Sequence, residues 1–351
     1  MEQLLLADSP PLRLTISRTA SPLGVALLQQ TIYGTHGPQY SHTGQAEKVT
    51  HVTGPYFFDL WVGEELVGTY CLSERLVQTP AGQVAGYYGR YLAVAAAHRG
   101  HGYGHRLKQE AVRYIERTQP APQVFYSYIE EANARSLRIS AQAGFQPVAL
   151  LEALAFGRLY PRPDARFEQL APAELPAMRA ALAAAYAGYS LVQFDHLYDQ
   201  QHYFVLRENG QIIAGVQANM VRWRIVAMPG FGGQLLLRVL PHVPVLKRLI
   251  NPANYEFAAL EALYVQPGRE PELLRLLESV LAHFGFTSAL VLLDVASPLH
   301  HYLKGSGKLG LLQRLKQPTY TQVFLKANGL TPEQVKQNPA QPLYTSAFDY
   351  T

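Results

Sequence analysis

The sequence predicts an α/β (α+β) chain of two domains, each a mixed, mostly antiparallel central sheet flanked by helices. Three observations carry this. The chain has 351 residues, enough for two domains of ordinary size. Runs with strand-like alternation are separated by runs whose apolar residues recur at helical spacing. The order of hairpin, strand, turn, helix and strand occurs once before residue 157 and returns more weakly after residue 166.

Taken in order, residues 1–10 read as a loose tail and Leu12–Ile16 as a strand. Ser21-Pro22 reads as an N-cap with proline at the first helical position, opening a helix to about Ile32. Residues 33–55 form a long polar loop with four glycines and three histidines, His36, His42 and His51, which lack metal-ligand spacing. Tyr56–Val62 and Leu66–Leu72 make a hairpin, with Cys71 as a small core residue. Gln83–Val94 is the next strand. A helix from about His105 carries Leu107, Ala111, Tyr114 and Ile115 on one side. In the strand Gln123–Ile129, Val124, Tyr126 and Tyr128 share one face and Phe125, Ser127 and Ile129 the other. A helix then runs from near Glu131 to Gly144, a C′ glycine followed by Phe145.

Pro161 and Pro163 mark a linker at residues 158–165. Beyond it come a helix over Pro172–Tyr189, a hairpin of Tyr203–Leu206 and Gln211–Gln217 about Glu208-Asn209-Gly210, and strands at Tyr255–Val265 and Ala289–Asp294. An insertion with several glycines and prolines spans Val226–Asn254. The expected partition is therefore 1–157, a linker 158–165, 166–330, and a C-terminal tail 331–351.

Composition narrows the function. Hydrophobic residues make up 48% and charged residues 16%, as in a globular protein. The net charge of +4 is too small, and too dispersed, to argue for nucleic acid. The single cysteine rules out an intramolecular disulfide and a Cys-based metal site. There is no apolar run of membrane-spanning length and no basic leader at the start, so a soluble cytoplasmic protein without membrane contact is expected.

The most informative stretch lies between Val94 and His105. Four residues follow Val94, then Arg99-Gly100-His101-Gly102-Tyr103-Gly104. Alternate glycines before a helix start let backbone N–H groups converge on an anion, so the turn is a phosphate cradle. It is not a P-loop, for lack of Gly-Lys-Ser/Thr, nor a dinucleotide turn, because the third glycine comes one position early. The pattern resembles the GNAT superfamily of N-acyltransferases, whose signature is a strand ending in valine, a short connector and Arg-x-x-Gly-x-Gly/Ala. Asn133-Ala134-Arg135-Ser136, followed by Gly144-Phe145, resembles that family's second motif. The resemblance covers about residues 12–157.

It implies acetyl-CoA or another acyl-CoA, lying where the strand ending at Val94 parts from the strand at Val124–Ile129. Leu92 and Val94 would pair with the pantetheine arm. Gly100, His101, Gly102, Tyr103 and Gly104 would hold the pyrophosphate, with Arg99 adding charge, while Asn133 and Ser136 support the cofactor. It further implies direct transfer to a primary amine of a small molecule, with no metal. At the positions where the family often has its base stand Tyr88 and Arg90, and at that of its usual acid, Ser140. Tyr88 and Ser140 are thus the catalytic candidates, with a water chain, Glu130 or Glu131 as other bases, and Arg90 and Tyr128 are candidate substrate contacts. An acyl-CoA-binding sensor or scaffold without turnover is the alternative. In the second half Gln266-Pro267-Gly268-Arg269-Glu270-Pro271-Glu272 keeps one glycine and adds acids, so a related domain that has lost its phosphate turn is expected there. Self-association is left open.

Overall fold

A computed structural model describes residues 4–9, 12–35, 37–228, 233, 237 and 251–350. His36 and most of the 226–254 insertion lie outside the described residues. The chain forms two compact units. The first comprises residues 1–35, 40–149 and 322–339, and the second 36–39, 150–321 and 340–351.

The first unit contains β1 (Leu4–Ser9), β2 (Leu12–Ser17), most of the short β3 (Gln39–His42), β4 (Pro55–Val62), β5 (Glu65–Thr79), β6 (Gly82–Val94) and β7 (Gln123–Glu130). Its helices are α1 (Pro22–Gln29), α2 (Gln45–Thr50), α3 (Tyr103–Thr118) and α4 (Ala134–Gln142). The sheet runs β1-β2-β4-β5-β6-β7. Its pairs are antiparallel except β6 with β7, which is parallel. Helix α3 buries Leu107, Ala111, Val112 and Ile115 against Phe58, Tyr70, Leu72 and Phe125. Each such apolar side chain contributes about 1.5–3 kcal/mol, except the smaller alanine. Ser21 caps α1 by accepting from Gly24 N–H, as its sequence predicts.

The second unit contains most of β8 (Gln146–Gly157), then β9 (Phe167–Gln169), β10 (Tyr203–Glu208), β11 (Gln211–Ala227), β12 (Tyr255–Val265) and β13 (Ser288–Asp294). Its helices are α5 (Leu175–Ala185), α6 (Glu270–Phe284), α7 (Pro298–Gly305) and α8 (Leu311–Leu315). The strand order is β8-β13-β12-β11-β10-β9, antiparallel except for the parallel pair of β12 and β13. Leu273, Leu276, Leu277, Val280 and Leu281 of α6 bury themselves against β10–β13, with Leu154 and Phe156 of β8 in the same core. Both units are thus mixed, mostly antiparallel sheets with helices packed on them.

Several elements differ from expectation. Residues 4–9 are a strand rather than a tail, paired from Leu4↔Ile16 to Ser9↔Leu12. The long loop contains α2 and β3, which are too short to leave a periodic signature. The units also interleave along the chain. Leu151–Gly157 pairs residue for residue with Ser288–Asp294 in the second unit. The last strand, β14 (Tyr320–Asn328), places Phe324 in the first unit's core. Residues 331–350 are structured: Thr331 caps α9 (Pro332–Val335), and Lys336 Nζ donates to Val148 O at 2.8 Å. The final helix, α10 (Ala347–Tyr350), belongs to the second unit.

Among the described residues, no helix is long and apolar enough to cross a membrane.

Candidate active site

Strands β6 and β7 pair in parallel from Ala85↔Gln123 to Tyr88↔Tyr126, and no further. Beyond this, Gly89–Val94 and Ser127–Glu130 part, leaving a gap within the sheet. The opposite edge of β6 stays paired with β5 but slips register between Thr69↔Ala93 and Cys71↔Arg90. Tyr91, inside the slip, has φ 59°. This is a bulge, which bends a strand and re-aims its side chains.

At the far end of β6 a single 3₁₀ turn, Ala96–His98, leads to the glycine-rich turn and α3. Gly100 and Gly102 have φ 94° and 79°, the left-handed region that favours glycine. Gly102 is the N-cap residue and makes no side-chain cap. Among the described residues, no acceptor takes the N–H groups of Gly100, His101, Gly102, Tyr103, Gly104 or His105. These donors stand at the positive end of the α3 dipole, an arrangement that favours an anion. Arg99 is exposed beside them and its Nε donates to Val94 O at 3.4 Å. His101 stacks on Tyr103 with ring centroids 5.7 Å apart. Gly104 is buried, and a Cβ there would meet Ile139 Cδ1 of α4 at 3.4 Å. Leu92 packs against the core of the unit, and Val94 lies beside Gly104.

The other expected residues divide between the two faces of the sheet. On one face Tyr88 is buried, with its ring 5.3 Å from Tyr126 and 5.0 Å from Tyr128. Arg90 is buried beside it, its guanidinium 4.4 Å from the Tyr91 ring and 5.9 Å from that of Tyr88. On the other face Ser140 of α4 is 1% exposed, and its Oγ accepts from Lys108 Nζ at 2.7 Å. Lys108 also lies 3.4 Å from Ser127 Oγ and 4.0 Å above the Phe145 ring. Burial pushes the Lys108 ammonium down to about 7. Asn133 and Ser136 are brought together, but as a cap: Asn133 Oδ1 accepts from Ser136 N at 3.1 Å. Both alternative bases are engaged, Glu130 by Thr35 N at 3.0 Å and Glu131 by Gln322 Nε2 at 3.4 Å. Cys71 is fully buried, and burial pushes its thiol up to about 12, so it is no nucleophile.

Two features escaped the sequence reading. Lys108 sits within the buried stripe of α3 formed by Gly104, Leu107, Ala111, Val112 and Ile115; a lysine in phase with that stripe is the signal that marks it. Gly89 was passed over because no turn requires it. A Cβ there would stand 2.1 Å from Tyr70 Oη and 2.7 Å from Ser127 Oγ, so the absent side chain leaves room for both hydroxyls where β6 and β7 part. Gly89→Ala is expected to cost about 1–3 kcal/mol by overpacking. Tyr70→Phe in that background should recover part of the loss, as non-additivity in urea unfolding of the four proteins. Full additivity would show that Tyr70 does not set the constraint.

Among the described residues, the start of α6 in the second unit offers no matching donor set. At the start of α6, Gly268 N–H is taken by Glu270 Oε1 at 3.1 Å. Arg269 pairs with Glu208 at 2.8 Å, and Arg166 with Glu272 at 2.6 Å. The β12–β13 pairing stops after Leu260↔Val291. Past that point the chain's own residues 343–347 fill in: Leu343 N–H donates to Asp294 Oδ2 at 2.9 Å and Ala347 N–H to Glu261 Oε2 at 3.1 Å.

Comparison with known proteins agrees with this geometry. The sequence model of the acetyltransferase (GNAT) family matches residues 26–145. Saccharomyces cerevisiae N-myristoyltransferase with bound myristoyl-CoA superposes with a TM-score of 0.61 at 11% identity, covering 98% of this chain and 91% of that one. A GCN5-related N-acetyltransferase from Anabaena variabilis superposes with a TM-score of 0.51 at 11% identity, covering 90% and 72%. The sequence has no significant match among curated proteins. At such identities these likenesses speak for the fold, and with the family-model match over residues 26–145 they show a tandem GNAT-fold protein.

Proposed function

We propose that the first unit binds an acyl-coenzyme A and transfers its acyl group, most simply acetyl, directly to the primary amine of a small molecule. The observation that carries this reading is the row of N–H groups from Gly100 to His105 without an acceptor among the described residues, just past the end of the strand that parts from β7. They suit a pyrophosphate, with Arg99 as the adjacent cation. The cosubstrate would supply the activated thioester. The open edge of β6 over Leu92 and Val94 suits an extended pantetheine arm. The buried, raised thiol of Cys71 supports direct attack over a thiol intermediate. Polar groups beneath the gap, Ser127, Lys108 and Ser140, favour a short acyl chain over the myristoyl group carried by the yeast relative's ligand.

Tyr88, Tyr126 and Tyr128 line the other face with Arg90 beside them. A guanidinium there disfavours a second cation and offers a forked donor to a carboxylate or phosphate. An amine that also carries an anionic group therefore suits this face better than a polyamine. An acyl-CoA sensor without turnover is the second reading, favoured by the engagement of Glu130 and Glu131. Thiol release from acyl-CoA of graded chain length, with a panel of amines, separates the two. Turnover should be best with acetyl and with an anionic amine. Arg90→Ala should lower kcat/KM for that amine about tenfold more than for its neutral amide, a difference of about 1.4 kcal/mol. Equal losses would remove the anionic-acceptor assignment, and thermal protection without turnover with any amine would favour the sensor.

A further inference from the structure

Where β12 and β13 part, the C-terminal segment lies across the second unit as a strap. Tyr344 N–H donates to Ser190 O at 2.9 Å, and Tyr350 Oη to Leu260 O at 3.1 Å. The Tyr344 ring stands edge-on to Tyr186 at 5.1 Å, and Phe348 stacks on His196 at 3.8 Å. One anchor of the strap is titratable. Ala347 N–H donates to Glu261 Oε2 at 3.1 Å, and Asn219 Nδ2 to Glu261 Oε1 at 2.9 Å. Glu261 is 4% exposed, and among the described residues no lysine or arginine pairs with it. The next residue, Ala262, has φ 47° within a register slip between Gly215 and Gln217 of β11. A left-handed alanine is strained, and the bulge re-aims the strand beside it, here carrying Glu261 to the strap.

A carboxylate buried against neutral amide donors without a counter-ion is costly, and one proton removes that cost. A protonated carboxyl keeps acceptor capacity, so the bond from Ala347 survives the change. We propose that residues 342–350 are a proton-coupled strap, held closed by Glu261 in its protonated form and released as that proton is lost. Release opens the gap between β12 and β13, which the strap otherwise fills. The inference concerns the second unit and does not draw on the acyl-transfer reading.

The charged and titratable groups around Glu261 come from four sides. The strap presents Asp349 and Tyr350, and the end of α5 presents Tyr186. The segment before β10 presents His196, itself bonded to Asp199 at 2.8 Å, and β11 presents the neutral Asn219. Burial pushes the Glu261 carboxyl up and the Asp349 charge adds to it, outweighing the pull of Ser346, His196 and Asn219. Burial also raises Tyr186 and Tyr350, which stay neutral. When the strap lifts, water reaches Glu261 and its pKa returns toward the ordinary carboxyl value of about 4.3. The closed form therefore binds the proton more tightly. Its advantage is full below the ordinary value and is lost as pH rises through the closed-form value. Loss of charge on His196, which faces Asp199 and Glu261, acts in the same direction, so the test separates the two.

Amide hydrogen exchange of the full chain, read by mass spectrometry over residues 342–350, gives the strap's opening constant at each pH. The intrinsic exchange rate comes from a synthetic peptide of residues 340–351. The opening constant should rise about tenfold or more between about pH 5 and about pH 8.5, while residues 107–115 of α3 show no such rise. In Glu261→Gln, which keeps the shape and cannot ionise, the strap should be as protected as in wild type at the acid end, and the rise should vanish. In His196→Gln the rise should persist. A flat opening constant in the wild type overturns the proposal, whether or not either variant folds. A rise that survives in Glu261→Gln, or one that disappears in His196→Gln, overturns it as well.

Discussion

Coenzyme A is expected to protect the protein against thermal unfolding, and Gly102→Asp is expected to abolish that protection. Gly102 closes the turn at φ 79° and is the N-cap of α3. A Cβ there meets nothing within 4 Å, so the substitution causes no clash. Its local cost is the left-handed strain of an L residue, about 1–2 kcal/mol, which aspartate tolerates better than most. The carboxylate, however, can accept from the N–H groups of Tyr103 to His105, as an N-cap aspartate ordinarily does. It then occupies the donors a phosphate needs and repels the phosphate as well. A ligand at about 100 times its Kd stabilises the native state by about 2.7 kcal/mol, and this whole increment should disappear. Gly102→Ala, with similar strain and no charge, should retain most of it. Loss must be complete, because at the start of α6 Glu270 and the Arg269–Glu208 pair already occupy the equivalent position. Residual protection near half the wild-type value would reveal a second site, and undiminished protection would remove the anion-cradle assignment.

The second large effect is expected in the other unit, at Glu152 of β8. Its carboxyl is 1% exposed, and Oε2 accepts from His300 Nε2 at 2.8 Å and from Lys304 Nζ at 2.7 Å. Lys304 is half exposed and keeps much of its hydration, so Lys304→Met alone should cost about 1 kcal/mol. With His300→Phe added, the carboxylate is left buried without a donor, and the loss should reach about 3–5 kcal/mol in urea unfolding at pH 7. Adding Glu152→Leu should restore much of it, since a buried pair replaced by apolar groups is often neutral. The pH dependence has a definite sign. Burial raises the Glu152 pKa, but the hydrogen bonds from Lys304 and His300 outweigh it and leave the value lowered. The contribution is therefore present above the unfolded carboxyl pKa, about 4.3, and is lost as pH falls through the folded value. In the double variant burial dominates, with Lys316 the remaining nearby cation, so the folded pKa should rise and the relative destabilisation should shrink on acidification. A double variant as stable as wild type at pH 7 would show that Glu152 can be solvated in place.

Much of the first unit was legible because its signals are local. The Gly100 and Gly102 conformations, the Ser21 cap and the apolar stripe of α3 each follow from a few adjacent residues. So does the contrast between the open turn after Val94 and the self-paired turn after Val265. The resemblance to the family's second motif points to Ser140, yet its partner Lys108 is 32 positions away and belongs to a helix that periodicity presents as plain core.

The interleaving of the two units lay beyond the sequence for the same reason. Leu151–Gly157 reads as the last strand of a first domain, yet it pairs with Ser288–Asp294, and Phe324 returns to the first core. Strand partners are chosen by matching edges and buried faces over long separations, which alternation within one strand does not encode. The sequence by itself determined the glycine-rich turn, the two-unit plan and the core stripes, because backbone freedom and side-chain period are local properties. The tertiary structure decided which hydroxyls reach Lys108, how Asn133 and Ser136 are spent and where residues 322–350 belong, because burial and charge at those positions come from residues distant in the chain.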